Sequence, residues 1–142
     1  MSIIEVLEEK LLGNSYSRIS CGDTFDLYFD GFWLITQNVT SSDEKVLNMV
    51  IAGYRPVNEA IDKENVAKNL ILTTTLRKKI TDVSISSDSC LELGFENGVR
   101  LHFPTDTEIV DWQWALNKNG QDPYRDLIVG VLESGSVQLG NC

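Results

Sequence analysis

The stretch Cys90 to Pro104, CLELGFENGVRLHFP, constrains this chain more than any other, because alternation on both sides of one turn singles out a strand register. A two-residue Asn97-Gly98 loop would pair Leu93 with His102 and Glu96 with Val99, setting apolar residues against polar ones. A three-residue Glu96-Asn97-Gly98 loop, with Gly98 left-handed and forming a bulge, instead pairs Phe95 with Val99, Leu93 with Leu101 and Leu91 with Phe103. One face is then purely apolar, while the other sets Glu92 against His102 and Gly94 against Arg100. A hairpin of this kind must be covered by a hydrophobic layer.

A second hairpin precedes it. In CGDTFDLYFDGFWLITQNV, Phe25, Leu27 and Phe29 alternate with Asp26 and Tyr28, and Asp30-Gly31 supplies a two-residue turn that sets Phe29 against Phe32 and Leu27 against Leu34. The frame shared by FDLYFDGFWL and LELGFENGVRL has only two copies and no fixed period, so it marks two solutions to one geometric problem rather than a solenoid.

Two segments have helical spacing. SIIE is a capping box in which Ser2 accepts from the Glu5 amide; Ile4, Leu7 and Leu11 follow as one buried stripe, and Gly13 supplies a left-handed stop, giving a helix over about 2–12. A second helix is expected over about 62–77, with Asp62 as N-cap and Val66, Ala67, Leu70, Ile71 and Thr74 as its inner face. Its triple threonine is poor helix material. Arg77, Lys78 and Lys79 sit where a helix C-terminus favours cations, and phosphate binding is the sharper alternative for them.

The remaining apolar segments read as strands. They are Val46 to Gly53, Ile80 to Ser86, the EIVDWQWAL stretch with Val110, Trp112 and Trp114 on one face, and the DLIVGVL and SVQL pieces joined at Ser134-Gly135. The expected architecture is α+β: one domain over 1–142, with a largely antiparallel twisted sheet of β-hairpins packed against two helices. A hydrophobic content of 42% is enough for a core at this length without disulfide or metal staples.

Charge and motif content narrow the function. A net charge of -9 disfavours nucleic acid and anionic membrane as partners, since both reward Lys and Arg, and steers toward a basic protein partner. The short apolar runs and an N-terminus without signal-peptide features point to a cytoplasmic protein. Cys21, Cys90 and Cys142 form no C-x-x-C spacing, so neither a disulfide framework nor a zinc site is expected, and Cys142 reads as a free tail thiol. No cofactor or metal is expected either. His102 beside Glu92 is the one catalytic candidate, as a base with its orienting acid or as two metal ligands. No serine elbow, H-x-x-x-H or phosphate loop accompanies it, and a cross-strand pair is the simpler reading.

The segment from about Lys79 to Trp114, with KITDVSISSDSCLELGFENGVRLHF followed by an acidic linker and DWQW, resembles small immunity proteins of bacterial polymorphic-toxin and contact-dependent growth inhibition systems. The resemblance covers about a quarter of the chain. It implies a cytosolic protein without enzymatic activity that binds and neutralises one cognate toxin, often a nuclease, and it carries over no particular contact residues. Independently of it, an acidic domain can present carboxylates to a cationic groove in place of phosphates. Asp106, Glu108, Asp111, Asp122 and Tyr124 are the expected partner-binding residues, set around the tryptophans. The alternatives are a small-ligand-binding or regulatory domain and an enzyme centred on His102 and Glu92.

Overall fold

The computed structural model describes residues 2–41, 43, 52, 63–108, 110–118, 126–132 and 136–140. Among these are two helices, α1 (Ile3–Leu11) and α2 (Lys63–Thr74). The strands before the second hairpin are β1 (Arg18–Cys21), β2 (Phe25–Tyr28), β3 (Phe32–Thr36) and β4 (Ile80–Ile85). The others are β5 (Leu91–Phe95), β6 (Arg100–Phe103), β7 (Trp112–Lys118), β8 (Leu127–Leu132) and β9 (Val137–Leu139). The fold is α+β. Instead of one sheet, however, the strands form two: sheet A in the order β1-β2-β3-β7-β8-β9 and sheet B in the order β4-β5-β6, with every pairing antiparallel.

Both hairpins adopt the register that their alternation dictates. Leu27 faces Leu34, and the Phe29 amide donates to the Phe32 carbonyl across the Asp30-Gly31 turn. In sheet B, Leu91 faces Phe103, Leu93 faces Leu101, and Phe95 N–H donates to Val99 O, with Gly98 at φ +86° where a side chain would be strained. The Ile80–Ile85 strand enters this hairpin as expected, with a register shift between Ile80 and Asp82. Strand β1, which the sequence reading leaves unassigned, pairs with β2 at the edge of sheet A.

One core joins the two sheets and both helices. Leu27, Leu34, Trp114 and Leu116 of sheet A meet Leu91, Leu93, Leu101 and Phe103 of sheet B, and Leu7 and Leu11 of α1 and Ile71 and Leu72 of α2 complete the cluster. The opposite face of sheet A carries a second buried cluster of Trp33, Ile35, Ala115 and Leu127, against which Tyr28 and Trp112 pack. Sheet A is therefore apolar on both sides.

Helix α1 starts as its capping box requires, with Ser2 Oγ accepting from Glu5 N at 3.3 Å, and Gly13 follows at φ +77°. Helix α2 departs from expectation in its buried face. Ala67, Lys68, Ile71, Leu72 and Thr75 are buried, whereas Leu70 is 38% exposed and Thr74 is exposed. Polar partners cause the rotation: Lys68 Nζ donates to Asn38 Oδ1 at 2.6 Å and to Val39 O at 2.8 Å, and Thr75 bonds the Tyr16 hydroxyl. The helix stops at Thr74 rather than at residue 77, with a turn continuing through Arg77. The expected N-cap Asp62 and the turn at Ser134-Gly135 lie outside the described residues, as does the expected strand at Val46 to Gly53 apart from Ala52, which is in a turn.

Candidate functional site

The outward face of sheet B carries an ordered run of charge. Arg100 Nη2 lies 2.7 Å from Asp82 Oδ2 and 3.6 Å from Glu92 Oε2, and Glu92 Oε1 lies 3.4 Å from His102 Nδ1. The hydrogen bond to Asp82 pushes the guanidinium pKa further above its ordinary value. Gly94 leaves room for the guanidinium in this position, because a Cβ there would stand 2.8 Å from Arg100 Nη1 and displace it. The run pairs its charges with one another, and all four side chains remain between a third and about half exposed. The expected Glu92–His102 cross-strand pair is thus present as one link of a longer ladder.

His102 also sits at a seam. Its backbone N–H and C=O exchange bonds of 2.9 Å with Thr40, which follows β3, so a segment leaving sheet A borders sheet B here. Beyond it lies a depression of about 460 Å³ lined by Asp88, Cys90, His102, Pro104, Thr105 and Asp106. Side-chain bonds tie its walls together. Thr105 Oγ1 donates to Asp88 O at 2.7 Å, and Cys90 Sγ lies 3.7 Å from the same hydroxyl. The buried Trp114 indole donates to Ser89 O at 2.9 Å, which holds the β4–β5 turn against the core. Ser89 in that turn has φ +65°.

The acidic segment after Pro104 is held in the same way. Gln113, which is 8% exposed, accepts from Thr107 N at 3.2 Å through Oε1 and donates to Thr107 O at 2.8 Å through Nε2. Anchored at Thr105 and Thr107, the segment leaves the Asp106 and Glu108 side chains in solvent, and Asp111 is exposed just before β7. A loop pinned at alternate residues presents its carboxylates with little ordering left for a partner to impose.

Antiparallel register gathers these acids at one end of the molecule. Cys21 pairs with Phe25, Phe25 with Thr36, and Thr36 with Trp114, so the β1–β2 turn with exposed Asp23 lies at the same end of sheet A as the acidic segment. Residues 22–24, 86–90 and 104–111 contain no Lys or Arg. The structure thus brings Asp106, Glu108 and Asp111 together and adds Asp88 and Asp23, which sequence reasoning missed; Asp88 was detectable only as a charge in the tight SSDSC turn. Asp122 and Tyr124 lie outside the described residues.

One expectation about this region is overturned. Trp112 and Trp114 do not share a face, because Trp112 pairs with Leu132 and Trp114 with Val131, leaving Gln113 as the extra residue of a bulge. That single residue inverts the alternation, so Trp114 enters the main core and Trp112 packs on the Trp33 side. The bulge also frees the Gln113 side chain to hold Thr107. Among the described residues, no three His, Cys, Asp or Glu side chains converge as a metal-ligand set, and no helix is long and apolar enough to cross a membrane.

Fold and site together define an α+β domain of two antiparallel sheets with a pinned acidic end. Comparison of the chain with models of known protein families, with curated proteins and with solved structures found no match.

Proposed function

We propose that this chain is a non-enzymatic inhibitor of the immunity type, which neutralises a cognate toxin by setting its acidic end into the toxin's basic substrate groove. The observation that carries the reading is the exposure of Asp106 and Glu108 on a segment held by hydrogen bonds of Gln113 and Thr105. Preorganised carboxylates complement a cationic groove without a large ordering cost, and complementary charge raises the association rate. The net charge of -9 supports the same direction of steering. The sequence resemblance to immunity proteins adds to this reading, and a nuclease is the target whose groove the carboxylates fit best.

The test is a protection assay. Cells producing the toxic domain encoded immediately upstream of this chain should grow when the chain is co-expressed. Asp88→Lys, Asp106→Lys, Glu108→Lys and Asp111→Lys combined should abolish protection while leaving thermal melting unchanged. Full protection by the folded quadruple variant would show that the acidic end is not the contact surface, and absence of any toxic domain upstream would refute the immunity reading.

A second reading rests on the depression beside His102, whose 460 Å³ falls within the range of small-molecule sites. The inner sheet faces are filled by the core, so a ligand would bind there, and a metabolite that raises the melting temperature would identify it.

A further inference from the structure

Opposite the acidic end, the turn after α2 displays Arg77, Lys78 and Lys79, the only three consecutive cations in the chain. The simplest role for such a run is to satisfy the last carbonyls of the helix, and here those carbonyls already have donors. Ile71 O accepts from Thr74 Oγ1 at 2.6 Å, and Leu72 O from Tyr16 Oη at 2.5 Å. Thr73 O accepts from Leu76 N, Thr75 O from Lys78 N, and Thr74 O from Asn97 Nδ2 at 3.0 Å. The backbone is held on both sides as well, since Arg77 N donates to Tyr16 O and Lys79 O accepts from Glu96 N, each at 2.9 Å. All three residues are exposed, and among the described residues none of their side chains has a hydrogen-bond or ion-pair partner.

Arg77 adds a second observation. Its φ of 63° is left-handed, a conformation that glycine or asparagine adopts more cheaply at this position after a helix. Strain of this kind persists at functional positions, where the side chain is needed more than the backbone is eased. Nearby, Gly13 N donates to Ile80 O, which brings the last turn of α1 with Lys10 alongside; Glu96 is the exposed acid bordering the turn.

We propose that the Arg77–Lys79 turn is a binding site for a multivalent phosphate, either a free polyphosphate or the phosphate chain of a nucleotide. A guanidinium takes phosphate oxygens in pairs, two ammonium groups add point charges, and a rigid turn loses little freedom on binding. Several negative charges on the ligand are required because the site is open to solvent.

The test is an amide NMR titration of the full chain with inorganic pyrophosphate, at low and at physiological salt. Saturable shifts are expected at Thr75 to Ile80 and Gly13 to Tyr16, weakening with salt. Arg77→Asn, which suits the left-handed backbone and keeps the fold, should reduce affinity about tenfold, the effect of one charge-assisted hydrogen bond. Lys78→Gln combined with Lys79→Gln should reduce it further. A nucleoside triphosphate binding as tightly as pyrophosphate supports recognition of the phosphates alone, and tighter binding supports the nucleotide as the source. Shifts that do not saturate, or that survive these substitutions unchanged, would overturn the proposal, as would a single-stranded oligonucleotide binding more tightly than either small anion.

Discussion

Tyr16→Phe removes one oxygen from the point where both sheets and α2 meet. The Tyr16 ring is fully buried and sits edge-on to Phe29 at 5.9 Å and to Phe95 at 6.1 Å, while its hydroxyl bonds Leu72 O and Thr75 Oγ1. Phenylalanine keeps both ring contacts. The partners are not orphaned, because Thr75 Oγ1 still donates to Leu72 O at 3.2 Å, so the loss is that of net hydrogen bonds, about 1 to 2 kcal/mol. Urea unfolding at neutral pH should show this difference, corresponding to a drop of about 4 °C in melting temperature.

The pH dependence is sharper. Burial raises the Tyr16 pKa well above its ordinary 10.0, so the native state holds the phenol proton after the unfolded chain has lost it. The stabilisation is complete below pH 10 and is lost above it, at about 1.4 kcal/mol per pH unit. The Tyr16→Phe variant lacks this loss, so the two stabilities should converge above pH 10 and cross at about pH 11. A difference that stays constant from about pH 9 to about pH 11 would refute the burial argument.

Two further outcomes follow from buried groups and backbone. Among the described residues, Trp33 Nε1 is buried without a hydrogen-bond partner, whereas Trp114 Nε1 has Ser89 O, so Trp114→Phe should cost about 1 to 3 kcal/mol more than Trp33→Phe in chemical denaturation. Equal costs would mean that the two indoles are equally satisfied. Gly98→Ala meets no side-chain clash yet places an alanine at φ +86°, and it should destabilise by about 1 kcal/mol, measured by thermal melting.

Local periodicity made several elements legible. The hairpin registers followed from alternation and turn chemistry, since a slip of one residue would expose Leu91, Leu93 and Leu101 together. Helix α1 was readable from its capping box and stripe. The buried face of α2 was not, because Lys68 is an unfavourable core residue until Asn38 and Val39, about thirty positions away, supply its bonds. The tryptophan stretch misled for a different reason: a bulge at Gln113 has no signature in the alternation that it interrupts. At the acidic end, Asp106, Glu108 and Asp111 could be singled out as charges, but not their clamping, since Thr105 bonds the distant Asp88 carbonyl and Gln113 reaches Thr107 from the unforeseen bulge.

The amino-acid sequence by itself determined the hairpins, the first helix, the α+β class and the excess of negative charge, because these depend on neighbours a few residues apart or on simple counting. Only the tertiary structure decided that the strands divide into two sheets, that Asp23, Asp88 and the acidic segment share one end, and that Arg77, Lys78 and Lys79 at the other have no side-chain partner among the described residues. The physical reason is range. A turn is set by its own residues, whereas sheet membership and the satisfaction of a helix end depend on which distant groups reach it: at α2 the Tyr16 hydroxyl and the Asn97 amide occupy carbonyls that the cations would otherwise have served.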